Sequence, residues 1–88
     1  MLKPEYSSRF KKDIKRYQHK QDIIDELNEV IQLLLKKKKL PEKHVDHPLK
    51  GNYVGHRECH VRPDVLLIYK VYDNVLAVER LGSHSDLF

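Results

Sequence analysis

The stretch VLLIYKVYDNVLAVERL (65–81) decides the fold. Two runs rich in β-branched and aromatic residues, Val65–Tyr72 and Val75–Leu81, flank the pair Asp73-Asn74. Asn and Asp tolerate positive φ, so the pair reads as a tight two-residue hairpin turn. Both runs are apolar on the two faces for much of their length, as strands are at a sheet's centre or beneath helices. Before them, Pro63-Asp64 is a second turn signal. His56–Val61 then alternates, with His56, Glu58 and His60 on one side and Arg57, Cys59 and Val61 on the other.

Further upstream, LPEKHVDHPLKGNY (40–53) reads as an irregular connection, of a length at which structureless loops are uncommon and often functional. Ahead of it lie two helical stripes. Phe10, Ile14 and Tyr17 recur at helical spacing after the capping candidates Ser7 and Ser8. Ile23, Leu27, Val30, Ile31, Leu34 and Leu35 form the second stripe, with Asp22 as N-cap, Lys36–Lys39 at the positive-tolerant end and Pro41 as the stop. Met1–Tyr6 is a short first strand that Pro4 confines to an edge. The order is βααβββ: an α+β fold with two N-terminal helices packed on a small antiparallel sheet, residues 1–88 forming one domain.

The chain has 88 residues, a net charge of +4 and a pI of about 9.2. Such a balance favours polyanions, because each Lys or Arg near a phosphate releases condensed counterions. The single cysteine, Cys59, excludes an intramolecular disulfide. No apolar run approaches the roughly 20 residues of a membrane span, and no signal-peptide core follows Met1. A cytoplasmic protein without membrane contact is the expectation.

Registry brings polar side chains together. A two-residue turn at Asp73-Asn74 sets Leu67 opposite Arg80 and Tyr69 opposite Val78. A two- or four-residue loop at Pro63-Asp64 sets His60 opposite Leu67 and Glu58 opposite Tyr69, and four is favoured because proline fits primed two-residue turns poorly. His60 and Arg80 then share a face on the order of 10 Å apart, room for a phosphodiester between them. A metal site is not expected. His56 and His60 are about 13 Å apart on a strand, Cys59 faces away from them, and no zinc-ligand motif occurs.

Acid–base chemistry on RNA suits these residues. RNA carries its own nucleophile, the ribose 2′-OH, so an enzyme need only move two protons and stabilise charge on phosphorus. Histidine suits the proton transfers and arginine the phosphate. His47, His60 and His84 with Arg80 supply these parts, and Asp64 is a candidate to orient an imidazole.

Three segments carry a resemblance: DHPLKGNY (46–53), RECHVRPDVLLIYKV (57–71) and ERLGSHSDLF (79–88). Together they resemble the YafQ branch of the RelE/ParE toxins. The resemblance implies two helices on a small antiparallel sheet, and a metal-independent endoribonuclease acting on mRNA in the A site of the 70S ribosome. It matches the family's catalytic residues to His47, His60, Asp64, Arg80 and His84, and its terminal aromatic residue to Phe88. A tryptophan that some relatives carry after the aspartate is Val65 here. By this reading His84 is the general acid, His47 or His60 the base, Asp64 its partner and Arg80 the phosphate ligand. Phe88 stacks on or beneath a base. Lys11, Lys12, Lys15, Arg16, Lys36–Lys39, Lys50 and Arg57 grip RNA. The resemblance also implies a cognate antitoxin, and no cofactor. Two rival readings are a ParE-like gyrase inhibitor and a non-catalytic RNA-binding module.

Overall fold

The computed structural model describes residues 1–88. Its centre is the hairpin of β4 (Val65–Tyr72) and β5 (Val75–Gly82), joined by the two-residue turn at Asp73-Asn74 with Asp73 at φ 49°. β3 (Arg57–Arg62) pairs antiparallel with β4, and the two-residue β2 (His47–Pro48) pairs antiparallel with β3. β1 (Lys3–Tyr6) lies on the far side of β5 and runs parallel to it, giving the order β1-β5-β4-β3-β2. The sheet is therefore mixed rather than antiparallel. A parallel neighbour requires a long crossover, and nearly the whole chain separates β1 from β5.

Two bulges correct the expected register. Tyr69 faces Val78 as anticipated, but Glu79 is an extra residue, so Arg80 faces Ile68 instead of Leu67. Pro63-Asp64 is a two-residue turn rather than a four-residue loop, since Arg62 pairs with Val65. A second bulge, at Val61, follows from the shift between His60 and Arg62 and adds the twist that a proline-containing turn lacks. His60 consequently faces Leu66, and Glu58 faces Ile68. The two shifts cancel, leaving His60 and Arg80 on one face.

The opposite face carries the main core. α1 (Ser8–Ile14) and α2 (Gln21–Leu35) contribute Phe10, Leu27, Val30, Ile31, Leu34 and Leu35, which pack with Cys59, Leu67, Tyr69, Leu76, Val78 and Leu81. Ser7 caps α1 by accepting the Phe10 N–H at 3.0 Å, while its hydroxyl donates to the Glu79 carbonyl at 2.6 Å. α2 ends before Pro41, where Lys37 turns into the left-handed region at φ 59°. No helix is long and apolar enough to cross a membrane.

The other face carries a smaller cluster, in which Leu87, Leu49 and Tyr53 pack on Leu66 and Ile68. The 40–53 connection is less irregular than expected. It contains β2 and short 3-10 turns at Glu42–His44 and Gly51–Tyr53. The C-terminal tail forms one helical turn, α3 (His84–Leu87), closed by a capping box between Ser83 and Asp86.

Candidate active site

One row of side chains crosses the exposed face. Arg80 of β5 stands opposite Ile68, Ile68 opposite Glu58 of β3, and Glu58 opposite His47 of β2. In the next row His60 faces Leu66, which faces Gly82. With strands about 4.8 Å apart, the Arg80 and Glu58 backbones stand roughly 10 Å from each other. Ile68 and Leu66 form an apolar floor between them.

Glu58 is the centre of the β3 side. Its side chain is 7% exposed, and its Oε1 lies 3.3 Å from His47 Nε2 and 3.4 Å from His60 Nε2. The second nitrogen of His47 meets the Pro48 carbonyl at 3.1 Å. One carboxylate oxygen thus stands between two imidazoles, close enough to pair with either ring when that ring is protonated. His60 is also fixed from behind, where the buried His44 donates Nδ1–H to the His60 carbonyl at 2.6 Å.

Arg80 is held on the β5 side. Its Nε donates to Asp13 Oδ2 at 2.8 Å and its Nη2 to Asp13 Oδ1 at 3.3 Å. These hydrogen bonds hold the guanidinium above its ordinary pKa, and Tyr53 adds in the same direction. The tail completes the site. Leu87 docks on Leu66 and Ile68, and His84 and Phe88 project from the same turn with ring centroids 5.0 Å apart. Phe88 meets Tyr53 edge-on at 5.7 Å, and Tyr53 meets His56 at 5.9 Å. Hydrogen bonds from the Ser83 backbone N–H and then its hydroxyl hold the Asp86 carboxyl below the usual carboxylate range. Arg16 reaches Asp86 at 3.4 Å, tying the end of the first helical segment to the tail.

The model for the family described as "Bacterial toxin of type II toxin-antitoxin system, YafQ" matches residues 2–88. The chain belongs to the YafQ family. It is 41% identical over 85 residues to the mRNA interferase toxin YafQ of Escherichia coli (strain K12), covering 96% of this chain and 92% of that protein. Its fold matches a copper-bound mutant toxin from Helicobacter pylori with a TM-score of 0.93 and 45% identity, each chain covered in full. It matches YafQ in the E. coli DinJ-YafQ complex with a TM-score of 0.89 and 39% identity, over 100% of this chain and 99% of that one.

Within this YafQ-family fold the anticipated residues fall into three groups. His47, His60 and Arg80 share the open face, and His84 and Phe88 stand on the tail turn docked over its floor. Asp64 sits exposed in the β3–β4 turn and makes no hydrogen bond or ion pair with an imidazole; the carboxylate between the histidines is Glu58. Arg57 faces the opposite side of β3, where Asp46 binds it at 3.2 Å. Lys11, Lys12, Lys15, Arg16 and Lys50 are exposed.

Sequence reasoning missed Glu58, Asp13 and Tyr53. Glu58 was visible in the alternation it shares with His60. Asp13 stands three residues after Phe10, on the buried flank of the first helical stripe, where an acid is out of place.

The expectation of no metal site tested ligands along one strand, and so passed over a set spanning two. Ligand atoms of His47, Glu58 and His60 all lie within 4.8 Å of one another. Ligands of a single tetrahedral ion at about 2.0–2.2 Å stand on the order of 3.4 Å apart, so these two nitrogens and one oxygen fit a divalent transition ion. Cys59 belongs to no such set, since burial pushes its thiol up to about 12 on the core face.

Proposed function

We propose that this YafQ-family toxin is an mRNA interferase, an endoribonuclease that cleaves mRNA in the A site of the 70S ribosome by histidine acid–base catalysis. The observation that carries the reading is the face shared by Arg80 and the His47–Glu58–His60 cluster, on whose apolar floor Leu87 docks the tail that bears His84 and Phe88. Its E. coli relative bears the name mRNA interferase.

The reaction needs no external nucleophile. His60, with Glu58 fixing its ring, removes the proton of the ribose 2′-OH, and the freed oxygen attacks phosphorus. The bond from phosphorus to the 5′-oxygen breaks, and His84 protonates that leaving oxygen. The products are a 2′,3′-cyclic phosphate and a 5′-hydroxyl. Arg80 binds the non-bridging oxygens, where charge builds in the transition state. Phe88 stacks on a base beside the scissile bond. His47 holds Glu58 from the other side, and Glu58 takes the part that Asp64 was expected to play. The exposed lysines and Arg16 bind backbone phosphates.

His47, Glu58 and His60 would hold a divalent transition ion, which when bound supplies a Lewis acid. Occupation would take the His60 imidazole, the base proposed above, so a bound ion and the nuclease reaction exclude one another.

The toxin acts in the cytoplasm and is silenced by a cognate antitoxin; the relative in the E. coli DinJ-YafQ complex is bound to its own. An acidic antitoxin would meet the basic surface at a salt-dependent on-rate. The test is cleavage of mRNA on purified 70S ribosomes. Wild-type toxin should yield 2′,3′-cyclic phosphate ends, and His84→Ala should yield none while keeping its fold. Undiminished cutting by His84→Ala would remove the acid from this scheme. Intact mRNA with wild-type toxin would favour the RNA-binding module.

A further inference from the structure

We propose that Asp13 is a positioning residue for this reaction, clamping the Arg80 guanidinium side-on so that its opposite edge is presented to the scissile phosphate. The proposal rests on the role given to Arg80 above and extends the site to helix α1.

The clamp arises from how the sheet ends. β1 covers the edge of β5 only as far as the pair Tyr6–Val78. Beyond that point the chain leaves the sheet at Ser7, whose N–H donates to the Val78 carbonyl at 3.0 Å and whose hydroxyl donates to the Glu79 carbonyl. The rest of the β5 edge would have no neighbour. Asp13 supplies one, because its Oδ2 accepts the Leu81 backbone N–H at 3.0 Å. The same carboxylate takes the Arg80 Nε–H and one N–H of Nη2. Asp13 is 5% exposed and the Arg80 side chain 19%, so the pair is largely withdrawn from water, where such a bond is directional and strong.

A guanidinium carries five N–H donors in a rigid plane. Asp13 uses two, both on the Nε/Nη2 edge. Tyr53 also lies within reach of the guanidinium, and the Nη1/Nη2 edge carries the parallel pair of donors that matches two phosphate oxygens. Without Asp13, rotation about the side-chain torsions would spread that edge over several rotamers, only one of them facing the phosphate. Misplacement of a phosphate ligand by about 1 Å can slow a reaction about 100-fold. RNA affinity should barely change, because the exposed lysines remain and loss of a carboxylate removes a repulsion.

Asp13→Ala leaves the Leu81 N–H without an acceptor and can fail to fold, so the near-isosteric Asp13→Asn is the principal variant. Single-turnover cleavage of mRNA on 70S ribosomes gives the rate. Binding of the same mRNA with a 2′-deoxyribose at the cut site gives the affinity. The Arg80 Nε–H resonance in a ¹⁵N spectrum reports the clamp directly. Asp13→Asn should cleave about 10- to 100-fold more slowly, bind within about threefold of wild type, and lose the protected Nε–H signal. In an Arg80→Ala background the same substitution should cost nothing further. Equal slowing in both backgrounds, or wild-type cleavage by Asp13→Asn, would overturn the role of Asp13 alone. Wild-type cleavage by Arg80→Ala would overturn the reading of Arg80 and the clamp with it.

Discussion

Truncating Leu87 to alanine should slow cleavage without unfolding the protein. Leu87 is 7% exposed, sits on Leu66 and Ile68, and is the only buried side chain of α3. Its truncation removes roughly 2 kcal/mol of apolar burial. Few other contacts hold the tail: a capping box, the edge contact of Phe88 with Tyr53, and the solvent-exposed Arg16–Asp86 pair. Ordering each tail residue costs about 1–2 kcal/mol, so the docked state has a narrow margin. Loss of about 2 kcal/mol lowers the docking constant roughly 30-fold. If the wild-type tail is docked about ten to one, the docked fraction falls from about 0.9 to about 0.25, a fourfold loss of rate; a tail closer to balance approaches the 30-fold ceiling. The melting temperature should move little, since the 17-residue main core lies on the opposite face. Single-turnover cleavage measures the rate, and hydrogen exchange at the Leu87 and Phe88 amides, bonded to Ser83 and His84 carbonyls, measures docking. A variant with freely exchanging tail amides and wild-type cleavage would refute the requirement for a docked His84.

Three further outcomes follow from the same geometry. Asp86 has its folded pKa depressed by Ser83, so its contribution to the tail is present above its unfolded pKa and lost as pH falls through the folded value. Protection of the Phe88 amide, taken relative to its intrinsic exchange rate, should therefore fall in acid below about pH 4, and Asp86→Asn should abolish that pH dependence. Cys59 is buried with its thiol raised to about 12, so iodoacetamide at pH near 8 should leave it unmodified until denaturant is added; rapid native alkylation would contradict its burial. Micromolar Cu²⁺ or Zn²⁺ should inhibit cleavage and a chelator should restore it, with Glu58→Gln binding the ion more weakly by calorimetry. Inhibition unaffected by His47→Ala would place the ion elsewhere.

The β4–β5 hairpin was legible because turn chemistry and strand composition agree over 65–81. Helix stripes were legible because their apolar period is long. The bulges at Val61 and Glu79 were not, because an extra residue in a strand leaves no mark on composition. The inferred face of His60 and Arg80 survived only because the two shifts compensate. His47 needed the two-residue strand β2, too short to carry a period. The parallel pairing of β1 with β5 joins residues at opposite ends of the chain, beyond the reach of any local pattern. Asp13 is the same case, since its partner Arg80 is 67 residues away. The histidine positions were found by resemblance and by chemistry; the carboxylate that joins two of them was found only once β2 was laid beside β3.

The edge of β5 also sets when this molecule becomes dangerous. Arg80 is held by Asp13, 67 residues away, and Asp86 of the tail is held by Arg16. No local segment can set either pair alone, so a partly folded chain would carry the proposed catalytic side chains without the geometry that lets them act together. On the proposed function, potency would then report the finished fold and vanish with it.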